Sequence, residues 1–360
     1  MKDLLERIQG LWNSAKSAPS KTRAHFPIPR THVDNGERLG PCFTDKVHYF
    51  QLLINQMFLA DERAWFVHYD PMVFVASSYI YGTKIETSPF VVGPAMLERF
   101  GQKVPLGTIF KNTPVSGMHP YQGGALTLTI ILNKLERQNN AERLLKLVEG
   151  VSSAIDVSTA FSAYLKIAGT IVDGVEAIFG LSQTVPLLGF HTTINPQVGQ
   201  IFEPTYFVLI DADEREIKQE WFWVKDSQLH YGPKLENAQP YRQCDFILLQ
   251  LAQGDKRNDE RSLSFYPLWE KTRDLAAQAS NKHFWDETKA HFNTLKRALL
   301  NSPDLTRPDY TRLKEEYLAE MKNLRTEAAN EANLGDRGKL DKDETEMQRI
   351  AAELDDLDQL

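Results

Sequence analysis

The sequence predicts an α+β protein in which an antiparallel β-sandwich-like domain carries an inserted helical hairpin, an N-terminal amphipathic helix and a C-terminal helical module. Three observations predict it. Apolar residues recur at every second position through much of residues 47–132, and no helix-length segment separates the runs, which favours antiparallel neighbours over βαβ units. The period then changes to alternating steps of three and four over the next stretch of chain. Beyond Tyr266-Pro267 it stays helical to the end. With 360 residues, 42% hydrophobic and 25% charged, the composition is globular. The chain is long enough for more than one packing unit, since single cores stop growing near ~250–300 residues.

In residues 1–18, Leu4, Leu5, Ile8, Leu11 and Trp12 fall on one face of a helix, and Pro19 ends it. Residues 19–45 hold Pro19, Pro27, Pro29 and Pro41 and read as an irregular connector. The β domain spans residues 46–265. Val47–Phe58 alternates as a long strand, Asp61-Glu62-Arg63 turns, and Trp65–Tyr69 and Met72–Tyr81 are strands punctuated by Asp70-Pro71. Thr83–Val92 is a further strand, Ala95–Phe100 a helical turn and Gly107–Phe110 a short extended piece. Leu126–Leu132 alternates after a turn-rich stretch.

In the helical insertion, residues 141–181, Leu144, Val148, Val151 and Ile155 form one stripe. Phe161, Leu165, Ala168, Val172, Val175 and Phe179 form a second, and Asp156, Ser158 and Thr159 are N-cap candidates between them. Ala177–Phe202 carries no formal charge, is interrupted by Pro and Gly, and reads as buried loop and turn. Strand character returns at Tyr206–Ile210, Trp221–Val224 and Phe246–Leu251.

The helical module is residues 266–330. Phe284, Phe292, Leu295 and Leu299 mark one helix. Thr306-Arg307-Pro308-Asp309 caps another, whose stripe is Tyr310, Leu313, Tyr317, Met321 and Leu324. Gly335 and Gly338 break that helix. The tail, residues 331–360, ends in a short helix with Met347, Ile350, Leu354 and Leu357 on one side.

The formal charge of −7 is unevenly placed. Residues 331–360 hold ten acidic and four basic residues, whereas residues 1–30 hold six basic and two acidic ones. A nearly neutral body gives no bulk field for nucleic acid, and nucleic-acid binding is not expected. Cys42 and Cys244 support no disulfide framework or CxxC site, so a reducing, cytoplasmic setting is expected. The interrupted apolar pattern of Met1–Ala18 is not a secretory signal, and no run reaches the ~18–20 apolar residues of a spanning helix.

For chemistry, Phe207-Val208-Leu209-Ile210-Asp211-Ala212-Asp213, an apolar strand ending in Asp-x-Asp, resembles the phosphoryl-transfer motif of haloacid-dehalogenase-type enzymes. The resemblance implies that Asp211 and Asp213 hold magnesium and that one forms an aspartyl phosphate. Glu214 stands where that family has Thr or Val, and the family's parallel doubly wound sheet is not predicted here. The alternative is a hairpin turn into the Trp221 strand.

A second resemblance is to C2 domains. It would have the acidic turns at Asp61/Glu62, Asp70, Asp211/Asp213 and Asp255/Asp259 share calcium at one end of a sandwich. Cys42 with His48 or His119 is a nucleophile pair without a signature. His283 and His291, flanking Asp286, are about 12 Å apart along a helix, too far for one metal. Gly123-Gly124 precedes a strand rather than a helix and reads as a bulge or strand start, not a phosphate cradle.

The expected function is a non-enzymatic adaptor or structural subunit with no cofactor. It would bind protein partners through Leu4, Leu5, Ile8, Leu11 and Trp12 at the head and Met347, Ile350, Leu354 and Leu357 at the tail. Basic head and acidic tail would also allow copies to pair. The alternatives are a metal-dependent hydrolase or phosphotransferase using Asp211 and Asp213, a membrane effector acting through the N-terminal helix or the hairpin, and a regulatory protein cut near Gly335–Gly338.

Overall fold

The computed structural model describes residues 2–16, 23–60, 63–64, 67–93, 112–136, 161–179, 184–279 and 282–335. It divides into two compact units, Met1–Asp255 and Lys256–Leu360, and is mixed α+β with antiparallel sheets. The unit boundary falls earlier than residue 265 because Arg257 and Asp259 bond within the helical unit.

The first unit runs through α1 (Lys2–Lys16), β1 (Arg23–Ile28), β2 (Tyr49–Phe58), β3 (Arg63–Ala64), β4 (Val67–Tyr81), β5 (Lys84–Val92), β6 (Thr113–Pro114) and β7 (His119–Pro120). It continues through β8 (Leu126–Glu136), α2 (Phe161–Phe179), β9 (Thr184–Ile194), β10 (Thr205–Asp213), β11 (Phe222–Lys225), β12 (Gln228–Tyr231), β13 (Gln239–Pro240) and β14 (Phe246–Gly254). One sheet has the order β1-β10-β14-β2-β6, with β7 also on β2. A second has β3 and β5 on one side of β4, then β8 and β9. A small third sheet is β11-β12-β13. Every ladder among the described residues is antiparallel, and the single parallel contact is the isolated bridge Val33–Val224.

β4 explains why this part of the sequence is so apolar. Met72, Val73, Phe74, Val75 and Ala76 are all buried, so both of its faces are covered. Tyr79 shares a face with Val73 and Val75 by alternation, and its ring meets Phe50 of the first sheet edge-on at 5.0 Å. The even-numbered face, with its register neighbours Ile131 and Gly189, lies toward α1 and α2. In α2, Ile167, Ala168, Ile171, Val172, Val175 and Ile178 are buried, and the helix packs along β5.

Four expectations change. Residues 19–45 are not wholly irregular, because Arg23–Ile28 forms the edge strand β1, where Pro27 is tolerated. Asp70-Pro71 does not interrupt a strand. Pro71 lies between the β3 ladder, which ends at His68, and the β5 ladder, which starts at Val73, so among the described residues no strand pairs with that edge of β4 there. Ala177–Phe202 is not all loop, because Thr184–Ile194 pairs with β8 along its length. Its alternation is hidden by a register shift that skips Leu187, beside Pro186, and by Gly189. Finally, β11 does not pair with β10 as a hairpin but starts the separate three-stranded sheet. The expected first arm of the hairpin, Ala95–Phe100, Gly107–Phe110 and the tail stripe lie outside the described residues.

Gly189 also seats α1. A Cβ there would lie 2.7 Å from Trp12 Cζ3, so the indole rests directly on the backbone of β9. Gly189→Ala is expected to destabilise the first unit by about 1–3 kcal/mol through overpacking. Urea unfolding of the Trp12→Ala and Gly189→Ala/Trp12→Ala chains checks the cause. If the indole is what the methyl meets, Gly189→Ala costs little in the Trp12→Ala background.

In the second unit, α3 (Tyr266–Gln278) packs on both α4 (Lys282–Leu300) and α5 (Arg307–Gly335). Trp269 stacks on Tyr317 with centroids 4.1 Å apart and planes 5° from parallel. Trp285, Phe292, Leu295, Leu299, Leu313 and Met321 are buried around them. Burial raises the Tyr317 phenol above its ordinary range. The predicted cap forms: Thr306 Oγ1 accepts the amide of Asp309 at 3.3 Å. Buried Arg325 donates to the carbonyl of Ala279 and lies over Trp285.

Candidate functional site

The antiparallel order of the first unit brings four connections to one end: residues 40–48, the β4–β5 turn at 82–83, residues 121–125 and residues 195–204. Backbone bonds tie them together. The amide of Phe43 donates to Phe202 O at 3.0 Å, that of Lys46 to Tyr121 O at 2.7 Å, and that of Tyr121 to His48 O at 2.9 Å.

Beneath them lies an aromatic cluster. Phe202 meets Phe43 and Tyr121 at 4.7 Å each, Phe43 meets Phe50 at 6.2 Å, and fully buried His119 stacks on Tyr79 at 4.3 Å. His119 Nε2 donates to Ile80 O at 2.8 Å, so that nitrogen carries a proton. Burial raises the Tyr121 phenol, assisted by the charge of Asp45. A recess bordered by Phe50, Tyr79, His119, Tyr121 and Phe202 has room for about one water. Gly123 and Gly124 both have positive φ and lead into β8, as expected of a strand start.

The connection after β9 is the exposed part of this end. Asn195 to Gly199 form a compact turn in which every amide donates within the loop. Asn195 N reaches Gln200 Oε1 at 2.6 Å, Gln197 N reaches Asn195 Oδ1 at 3.0 Å, Val198 N reaches Asn195 O at 3.2 Å, and Gly199 N reaches Pro196 O at 3.1 Å. Gly199 adopts φ 85°, a left-handed conformation that suits glycine. This ordered turn, held below by buried Phe202, leaves Val198 and Ile201 72% and 71% exposed. The uncharged character of this run was legible in the sequence, but its exposure was not.

Comparison with protein families, curated proteins and solved structures finds no significant match to this chain. The functional reading therefore rests on the residues themselves.

Asp211 and Asp213 sit at the end of β10, between antiparallel neighbours, so the sheet that the haloacid-dehalogenase resemblance requires is not the one present. Both make local bonds. The amide of Asp211 donates to Asp245 O at 2.8 Å, and Asp213 pairs with Arg215 at 3.0 Å while its carbonyl accepts from Glu216 at 2.9 Å. Magnesium-dependent hydrolysis of a generic phosphoester is expected to be unchanged by Asp211→Asn together with Asp213→Asn. Loss of turnover in that chain would support the phosphotransferase reading.

Among the described residues the acidic turns do not converge for calcium either, and Asp61 and Glu62 lie outside those residues. Asp211 and Asp213 lie where β14 begins, opposite the end of β2, whereas Asp255 follows Gly254, which faces Tyr49 at the other end. Asp259 belongs to the second unit, paired with Arg257. Among the described residues, no group of three or more His, Cys, Asp or Glu side chains is placed to hold a metal. His48 Nδ1 accepts the amide of Thr44 at 3.0 Å, and Cys42 is exposed. In α4, Asp286 pairs with Lys289.

The apolar stripe expected to meet a partner is covered within the chain. Ile8 and Leu11 are buried, Leu4 and Trp12 pack against the same core, and only Leu5 is exposed. Arg7 fixes the helix by bonding Glu176 at 2.7 and 2.9 Å and pairing with Asp173 on α2. Met347, Ile350, Leu354 and Leu357 lie outside the described residues. No helix among the described residues is long and apolar enough to cross a membrane.

Proposed function

We propose that this chain is a non-enzymatic adaptor or structural subunit of a larger protein assembly, working in a reducing, cytoplasmic setting without a cofactor. In this reading the two large sheets are the layers of a sandwich, and α2 is the second arm of an inserted hairpin. The observation that carries the proposal is the division into two units with separate cores: a β unit closed over its own N-terminal helix, and a helical unit that leads into the acidic tail. A scaffold joined to an appended helical module offers two contact surfaces on one chain, which is what a connector between partners requires. Asp213 and Asp259 are held in ion pairs with Arg215 and Arg257, which also favours a binding role.

The test is native mass measurement and affinity capture from the source cell. The full chain is compared with one ending at Asp255 and one lacking residues 331–360. Loss of partners or of assembly mass on removing the helical unit is expected, with a partial loss on removing the tail alone. Identical masses and partner lists for all three chains would overturn the adaptor reading. The proposed sensitivity of the Gly335–Gly338 region to protease is checked by limited digestion, where a first cut inside the β unit contradicts it.

A further inference from the structure

We propose that the loop end of the first unit docks on the apolar boundary of a lipid bilayer, through Val198 and Ile201 with Ile85 as a third contact. Among the described residues they are the exposed large aliphatic side chains of that end, at 72%, 71% and 62%. Ile85 follows the β4–β5 turn, opposite Ile80, and β9 finishes at Ile194 opposite Leu126 at the start of β8. The order β5-β4-β8-β9 puts Ile85 and the end of β9, where the connection carrying Val198 and Ile201 departs, at one end of the sheet, three inter-strand steps of about 4.8 Å apart.

Three features select lipid as the occupant. Asn195 to Phe202 carry no formal charge, and the amides from Asn195 to Gly199 already donate within the loop. Such a loop enters an apolar phase without leaving those backbone donors unbonded. Val198 and Ile201 share one turn, and Ile85 is about 15 Å across the sheet from the strand that turn leaves, so the aliphatic groups do not form one large patch. A few isolated side chains fall far short of the ~800 Å² per partner of a stable protein interface, which argues against a second copy or a protein partner as the occupant. A bilayer, by contrast, can admit separated points at once. The turn is also anchored, because Phe202 is buried among Phe43, Phe50 and Tyr121, so the exposed groups are held outward rather than collapsed onto the body. Exposed Lys46 and Lys84 are on the same connections, with exposed Asp45 beside Lys46, so the end carries no strong field of one sign and contact would not require anionic lipid. Contact of this kind is reversible and no stronger than a single acyl chain, on the order of 10⁴ M⁻¹.

The experiment is flotation of the full chain with millimolar phosphatidylcholine vesicles, with and without phosphatidylserine. It is compared with a Val198→Asp/Ile201→Asp chain and, as a control, a chain with Phe284→Asp on α4. Because the substituted groups are exposed, thermal midpoints should stay unchanged. The expected result is co-flotation of the full chain and of the control, and at least a tenfold loss in the double variant. Phosphatidylserine should change binding by less than about threefold. A Val198→Trp chain should show a blue-shifted emission on adding vesicles. No flotation, equal flotation of the double variant, or binding only to phosphatidylserine vesicles would overturn the proposal. Capture of partners by the helical unit is read separately, so either idea can fail alone.

Discussion

A chain carrying Asp309→Ala is expected to lose about 3 kcal/mol of stability in its second unit. Asp309 is only 2% exposed, in the first turn of α5, and it joins the segment before α3 to the start of α5. One carboxylate oxygen accepts the amide of Arg257 at 2.9 Å, and the other accepts Arg312 Nε at 2.8 Å. Its own amide is capped by Thr306. The Arg257 side chain is fully buried and pairs with Asp259 at 2.8 Å, while its amide fastens the segment entering α3 to the start of α5 through a carboxylate that water barely reaches.

Truncation strands the Arg257 amide and weakens the neutralisation of Arg312, and it also removes a negative charge from a helix N-terminus. Asp309→Asn keeps one acceptor and should cost roughly half as much. By contrast, Arg312→Ala should cost about 1–2 kcal/mol, because Asp309 loses its cation but keeps the Arg257 amide, and the other acidic partners of Arg312, Glu260 and Glu316, are partly or mostly exposed. Urea unfolding followed by circular dichroism ranks the three. Equal losses for Asp309→Ala and Arg312→Ala would contradict the central place given to Asp309.

Phe50→Ala should destabilise the first unit by about 3–5 kcal/mol, the range for removing a buried phenylalanine ring. Phe50 is 2% exposed and touches Tyr79, His119, Phe43 and Phe202, with centroids between 5.0 and 6.2 Å. It therefore joins β2 to β4, β7 and the two connections that cover the loop end. Phe50→Leu should recover more than half of the loss, since it refills most of the volume. The Ala chain should also lose lipid docking by Val198 and Ile201, because Phe202 would no longer be held. A Phe50→Ala chain that unfolds at the same urea concentration as the unchanged chain would show that the cluster repacks without its centre.

Where one local pattern decides the outcome, the sequence was readable. The alternation of Leu126–Leu132 and the strands at Tyr206–Ile210 and Phe246–Leu251 appear where expected, as does the capped start of α5. Period and cap act over a few residues, so no distant partner is needed to see them. β9 was missed for the opposite reason. Its glycine makes sense only once Trp12, far away in sequence, rests on Gly189, and its register shift is set by β8. The N-terminal stripe was correctly seen as apolar, but a stripe does not name what covers it, and here the cover is β9 and α2.

The candidate site shows the same division. Asp211-Ala212-Asp213 stood out because paired carboxylates are conspicuous in one dimension. The neighbours of β10 then proved antiparallel, and Arg215 and Asp245 gave the pair local work. Val198 and Ile201 drew no notice in a run that looked buried. Their exposure follows from Asn195 and Gln200 closing the turn while Phe202 sinks beneath it.

By itself, then, the sequence determined the α+β class, the absence of a disulfide framework and the uneven placing of charge, because composition and short-range periodicity are properties of neighbours along the chain. Only the tertiary structure decided which apolar faces are covered, which acidic turns share an end and which side chains remain in water. Those outcomes depend on pairing between residues more than a hundred positions apart, and many pairings satisfy the same local pattern until the packing of the whole unit selects one.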